Sequence, residues 1–104
     1  MAQSDNFVKQ YMVEFDVPQP MTEEMFSLVP EQKQKFDDLF TSGKLLSYSL
    51  SMDRHRLWGV FLASSESELL TYIDMLPMTP YMDFDYDELM FYNTVSMLPS
   101  MSLN

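Results

Sequence analysis

"LPMTPYMDFDYDEL", Leu76 to Leu89, is the stretch on which the fold turns. Its two prolines, Pro77 and Pro80, end any helix before them, since proline cannot donate to a helical ladder and drives its predecessor into extended backbone. Beyond them Phe84 and Tyr86 alternate with Asp83, Asp85 and Asp87. That period of two marks a strand with one apolar and one wet face. The stretch therefore reads as a helix stop, an extended lead-in and a last strand.

Working back from it, "SSESELLTYIDMLP" carries the S-x-x-E capping box at Ser65 and Glu68, then Leu69, Leu70, Ile73 and Leu76 as a helical stripe. "KLLSYSLSM" and "RLWGVFLA" read as two strands around Asp53, Arg54 and His55, a spacing that suits a tight antiparallel hairpin. In the first of these, Leu46, Tyr48, Leu50 and Met52 alternate with serines. "PEQKQKFDDLFTSGK" puts Pro30 at a first helical position, Phe36, Leu39 and Phe40 on one face, and Gly43 at the C-terminal stop. Thr22 is placed to cap a helix opening on Glu23 and Glu24, which Pro30 is expected to kink or restart. "YMVEFDV" begins the series as a half-buried strand, with Tyr11, Val13, Phe15 and Val17 on one side and Met12, Glu14 and Asp16 on the other.

The resulting order, strand, helix, strand, strand, helix, strand, is the ferredoxin-like βαββαβ arrangement. It is an α+β fold with an antiparallel sheet in the order 4-1-3-2 and both helices on one face. The helices are expected to cover Tyr11, Val13, Phe15, Phe84 and Tyr86. The other face is left for solvent or a second copy of the chain. At 104 residues there is room for one domain. Its core is expected over about 8–92, with 93–104 as a C-terminal tail.

Composition narrows the function. Sixteen acids against six bases give a net charge of −10, and no Lys or Arg follows Arg56. Such a surface lacks the clustered cations that phosphate backbones and anionic leaflets require, so neither nucleic acid nor membrane is an expected partner. No apolar run is long enough to span a bilayer and "MAQSDNFVKQ" lacks the features of a secretory signal, which makes the cytoplasm the expected address. Cysteine is absent, which removes disulfides, thiolate catalysis and cysteine metal ligation. No metal site is expected from one His and scattered carboxylates, and "DFDYDE" lacks the turn glycine of a calcium loop.

Several residues can carry chemistry. If the last strand lies beside the first, Glu14 and Asp16 share a face with Asp83 and Asp85, and carboxylates crowded in a dry cavity can serve as proton carriers. The plainer reading is that alternating acids mark the wet side of the strand. His55, the single histidine, is a base or substrate anchor, or simply a turn residue. Arg54 and Arg56 can hold a ligand carboxylate, or screen an acidic surface. Met12, Met52, Met78, Met82, Met90, Met97 and Met101 are expected in or near the open sheet face or the tail, where thioethers suit adaptable interfaces, unless they fill the core.

"YMVEFDVPQPM", "TSGK" before a strand, "GVFLASSESELL" and above all Leu76-Pro77-x-x-Pro80-Tyr81-Met82-Asp83 resemble the muconolactone isomerase family of dimeric α+β barrels, over roughly residues 10 to 90. The resemblance implies pairing into such a barrel, a homodimer or higher homo-oligomer with the tail draped on a neighbour. It also implies a proton shift in a small unsaturated lactone during aromatic degradation, with no cofactor. Tyr81, inside the string, becomes a hydroxyl donor or a strand anchor, and Arg54 falls where the family places an arginine.

The sequence also departs from the family pattern. Met12 and Glu14 stand where the first strand has basic or imidazole side chains, with Asp16 kept in kind. Ser47, Ser49 and Leu50 stand where the second strand has a His, a Trp and an Arg.

Two classes follow. One is a cofactor-independent isomerase using Glu14, His55 or Asp83 for proton transfer and Arg54, Tyr81 and Asp16 for a small organic substrate. The other is a non-catalytic ligand-binding or structural oligomer of the same fold. A cofactorless monooxygenase of the same barrel type is a third.

Overall fold

A computed structural model describes residues 8–90, and the tail from residue 93, with Met97 and Met101, lies outside them. The elements follow the expected order: β1 (Lys9–Asp16), α1 (Glu23–Thr41), β2 (Leu45–Leu50), β3 (Arg56–Ala63), α2 (Glu66–Asp74) and β4 (Asp83–Leu89). A single 3-10 turn, Thr79–Tyr81, joins α2 to β4, with Pro80 inside it where no backbone N–H is needed. The four strands are antiparallel in the order β2-β3-β1-β4. This is the ferredoxin-like arrangement.

Local chemistry sets the helix ends. Thr22 accepts the Met25 N–H and opens α1, where Glu23 and Glu24 face the positive end of the helix dipole. Gly43 closes it at φ +79°, with the Gly43 N–H donating to Phe40 and the Lys44 N–H to Leu39, a Schellman ending. At α2, Ser65 accepts the Glu68 N–H. The Glu68 carboxylate reaches back one residue beyond the usual capping box, to the Ser64 N–H at 2.6 Å and the Ser64 hydroxyl at 3.0 Å.

Pro30 does not restart α1, which runs unbroken through it. The helix tolerates the lost Pro30 N–H because Met25, Phe36 and Leu39 are buried in the core and Gln32, on the same face, is buried with its side-chain carbonyl accepting the Met78 N–H. Proline at that position costs less than the burial on either side returns.

One face of the sheet makes the core. Tyr11, Val13 and Phe15 of β1, Leu45, Phe61 and Ala63 beside them, and Leu69, Ile73 and Leu76 from the α2 region are all buried. Phe84 and Tyr86 pack against this cluster from β4, as the alternation predicted. Leu70 departs from its stripe and is 38% exposed, because α2 turns only its Leu69–Ile73 side to the sheet. Two expected open-face methionines also belong to the core: Met78 and Met82 flank the 3-10 turn and point inward. Met12 stays on the open face, while Met52 and Met90 are exposed. Among the described residues no helix is long and apolar enough to cross a membrane.

Candidate functional site

Register decides what the uncovered face contains. Glu14 pairs across to Trp58 on one side and Asp85 on the other, Asp16 to Arg56 and Asp83, and Met12 to Val60 and Asp87. Directly opposed residues of neighbouring strands point the same way. Glu14, Asp16, Asp83 and Asp85 therefore do share one face, together with Arg56 and Trp58 from β3. From β2, Ser47 and Ser49 join them opposite Val60 and Trp58.

Glu14 is held from two directions. The Arg56 guanidinium donates from Nη1 to Oε2 at 2.6 Å, and the Trp58 indole N–H donates to Oε1 at 3.3 Å. Arg56 also reaches Asp16, Nε to Oδ1 at 3.5 Å. A short charge-assisted contact is the stronger kind of hydrogen bond, yet Glu14 keeps 41% of its side chain exposed. The carboxylate is thus oriented and still reachable.

Two hollows border this cluster. The larger, of about 350 Å³, lies at the end of the sheet between the β1 exit and the lead-in to β4, lined by Asp16, Val17, Pro18, Pro80, Tyr81, Met82 and Asp83. Pro18 and Pro80, one from each of "VPQP" and "LPMTP", stand in its walls, where proline favours extended or tightly turned backbone. The second, of about 190 Å³, is a groove on the open face lined by Met12, Ser47, Ser49, Trp58, Gly59 and Val60.

Of the candidate residues, Asp16, Tyr81 and Asp83 meet at the first hollow, and Glu14 lies between the two. On the helical side the Glu24 carboxylate, as a hydrogen-bond acceptor, and then burial raise the pKa of the Tyr81 hydroxyl above the ordinary tyrosine value and keep it protonated. Arg54 and His55 line neither hollow. They sit in the β2–β3 turn, where Arg54 takes the left-handed conformation at φ 66° and its N–H donates to the Ser51 carbonyl. The Asp53 carboxylate accepts from the Ser51 hydroxyl and the His55 N–H, which lowers its pKa.

The turn is fastened to the β1 exit through main chain, with the Val17 N–H donating to the His55 carbonyl at 2.7 Å and the Gln19 amide to the Arg54 carbonyl at 3.0 Å. Both residues thereby shape the end of the sheet with their backbone, while their side chains are exposed.

Trp58 was not among the candidates drawn from the sequence. Its signal was the alternation of Arg56, Trp58 and Val60 in "RLWGVFLA", which becomes informative only when β3 is known to pair with β1 at Glu14. Among the described residues no group of three or more potential ligands is spaced to hold a metal ion.

Fold and face together define a class: a ferredoxin-like α+β protein with its helices on one side of the sheet and a polar, partly hollow face on the other. Residues 10–94 match the family muconolactone delta-isomerase, and the chain belongs to that family. No curated protein sequence matches the chain significantly.

Proposed function

We propose that this chain is a cofactor-independent isomerase-like protein that shifts a proton within a small unsaturated lactone or related acid, on the open sheet face. The observation that carries this reading is the position of Glu14, oriented by Arg56 and Trp58 on the strand between Met12, which lines the groove, and Asp16, which lines the hollow at the end of the sheet. A carboxylate so held can remove a proton from one ring carbon and return it to another two bonds along, which moves the double bond with no redox change. Asp83 is the second proton-handling group, and Asp16 and Tyr81 line the hollow at that end of the sheet, through which a substrate reaches the face. Arg54 and His55 act at the rim if a second copy of the chain closes over the face.

Closure by a second copy is part of the proposal, since water must be kept from the reacting carbons. Half-buried Met12, Trp58 and Leu62 on the open face suit burial against such a partner. Sedimentation velocity should then find a dimer or larger homo-oligomer, and a monomer at micromolar concentration would argue against closure.

Family membership supports the reaction class. The test is proton exchange in D2O followed by NMR on an unsaturated five-membered lactone. Wild-type protein should move the double bond with deuterium incorporation, and Glu14→Gln should slow it by about 10²–10⁴-fold with the fold intact. No exchange with wild type, or full exchange with the variant, removes Glu14 from the role.

A second reading is favoured by the short Arg56–Glu14 contact itself. In a non-catalytic oligomer that ion pair is purely structural, and Glu14→Gln would then change stability and leave ligand binding untouched.

A further inference from the structure

The open face is strongly unbalanced in charge. Glu14, Asp16, Asp83, Asp85 and Asp87 project from its strands, against Arg56 as the single cationic side chain that those strands turn to this face among the described residues, since Lys9 of β1 falls on the opposite parity, beside Ala63. Arg56 is also already committed, to Glu14 at 2.6 Å and to Asp16 at 3.5 Å. An incoming carboxylate would therefore meet several like charges on these strands, whose one guanidinium is already paired; Arg54 stands outside them, in the β2–β3 turn.

The groove next to Glu14 has a different character. Met12, Val60 and Trp58 give it apolar walls, Gly59 adds no side chain of its own, and the hydroxyls of Ser47 and Ser49 are its polar groups. Its volume of about 190 Å³ suits one small ring, since cavities of roughly 150 Å³ admit a benzene-sized molecule. Serine hydroxyls can donate to a ring carbonyl and carry no charge to attract an acid. The link from the groove to the proposed proton carrier is direct, because the Trp58 indole N–H donates to the Glu14 carboxylate.

We infer that the molecule this groove takes is uncharged: a single-ring unsaturated lactone without a carboxylate arm, its carbonyl on Ser47 and Ser49 and its ring against Trp58. This rests on the isomerase-like reading of the same face and narrows its substrate. The acidic surround then acts as a filter, since it costs a neutral ring nothing and repels the acid form of the same ring.

Trp58 is the single tryptophan of the chain, so its emission reports on the groove directly. The full-length protein is titrated with 5-methylfuran-2-one, a neutral unsaturated lactone, and with muconolactone, the same ring bearing an acetate arm. The neutral lactone should change the emission saturably, with a Kd on the order of tenfold or more below that of its charged counterpart. Ser49→Lys, an exposed position at the groove, should narrow that ratio by bringing in a cation.

Tighter binding of muconolactone, no emission change with either compound, or an unchanged ratio in Ser49→Lys would each overturn the inference. NMR exchange on the same samples separates it from the reading beneath it. Neutral-ring binding without deuterium incorporation keeps the inference and removes the isomerase, whereas exchange confined to muconolactone does the reverse.

Discussion

Glu14 owes its setting to Arg56 and Trp58 from a different strand, and Gly59, next after Trp58 in the chain, owes its identity to the opposite side of the sheet. A Cβ built on Gly59 would lie 3.0 Å from Phe61 Cε1 and 3.4 Å from Leu45 Cδ1, both in buried side chains. The glycine serves close packing, since its φ lies outside the left-handed range and the buried Phe61 ring would have to give way to a Cβ. Gly59→Ala should therefore destabilise the protein by about 1–3 kcal/mol, the range for overpacking a filled core, read as a lower urea midpoint. Because Trp58 and Val60 flank this position, the same substitution should also shift Trp58 emission.

The elements carry their own tests. Pro30 lies inside α1 and deprives it of one ladder hydrogen bond. Pro30→Ala should stabilise the protein by about 1–3 kcal/mol, seen as a higher Tm, because the helix is continuous there and the exposed position needs no rigid ring. A Tm that fell would mean that proline shapes the packing of α1 against the sheet.

At α2 the Ser64 N–H, then the Ser64 hydroxyl, hold the Glu68 carboxyl below its ordinary value of 4.5. A group whose folded pKa is depressed contributes stability above its unfolded pKa and loses it as pH falls through the folded one. Wild type should accordingly exceed Glu68→Gln in urea midpoint at neutral pH. The gap should close progressively as pH drops below about 4.5. Tyr86 behaves in the opposite sense: burial and the nearby Glu66 carboxylate raise its pKa above 10.0. Its contribution is complete below pH 10 and fades only as pH climbs through the raised value.

At the scale of the whole molecule, a net charge of −10 on 104 residues makes self-repulsion a term in stability. Raising NaCl from about 0.01 M to 0.15 M shortens the screening length from roughly 30 Å to 8 Å. The Tm should rise over that interval. The Arg56–Glu14 pair is exposed and contributes at most about 1 kcal/mol that salt can remove, so screening of repulsion should win. A Tm that fell with salt would mean that attractive pairs dominate the surface.

The sequence by itself determined the order of elements, because its signals are local. Thr22, Ser65 and Gly43 satisfy or end a helix within three residues of themselves, and a period of two in "YMVEFDV" and "DFDYDEL" assigns faces without any partner. The family string at Leu76–Asp83 was equally legible. Where local and tertiary effects competed, the local reading failed: Pro30 was expected to kink or restart α1, and with Met25, Gln32, Phe36 and Leu39 buried the helix runs through it without a restart.

The tertiary structure alone decided the site. Glu14 meets Trp58 and Arg56 across 44 and 42 residues of chain, and only the β1–β3 register sets them side by side. The same holds for His55 and Arg54. Their chemistry is plain in the sequence, but the Val17 N–H and the Gln19 side-chain amide, donating to the His55 and Arg54 carbonyls, hold their turn at the end of the sheet and outside both hollows. Residue type shows which chemistry a side chain can supply, whereas strand register and turn geometry determine what it faces.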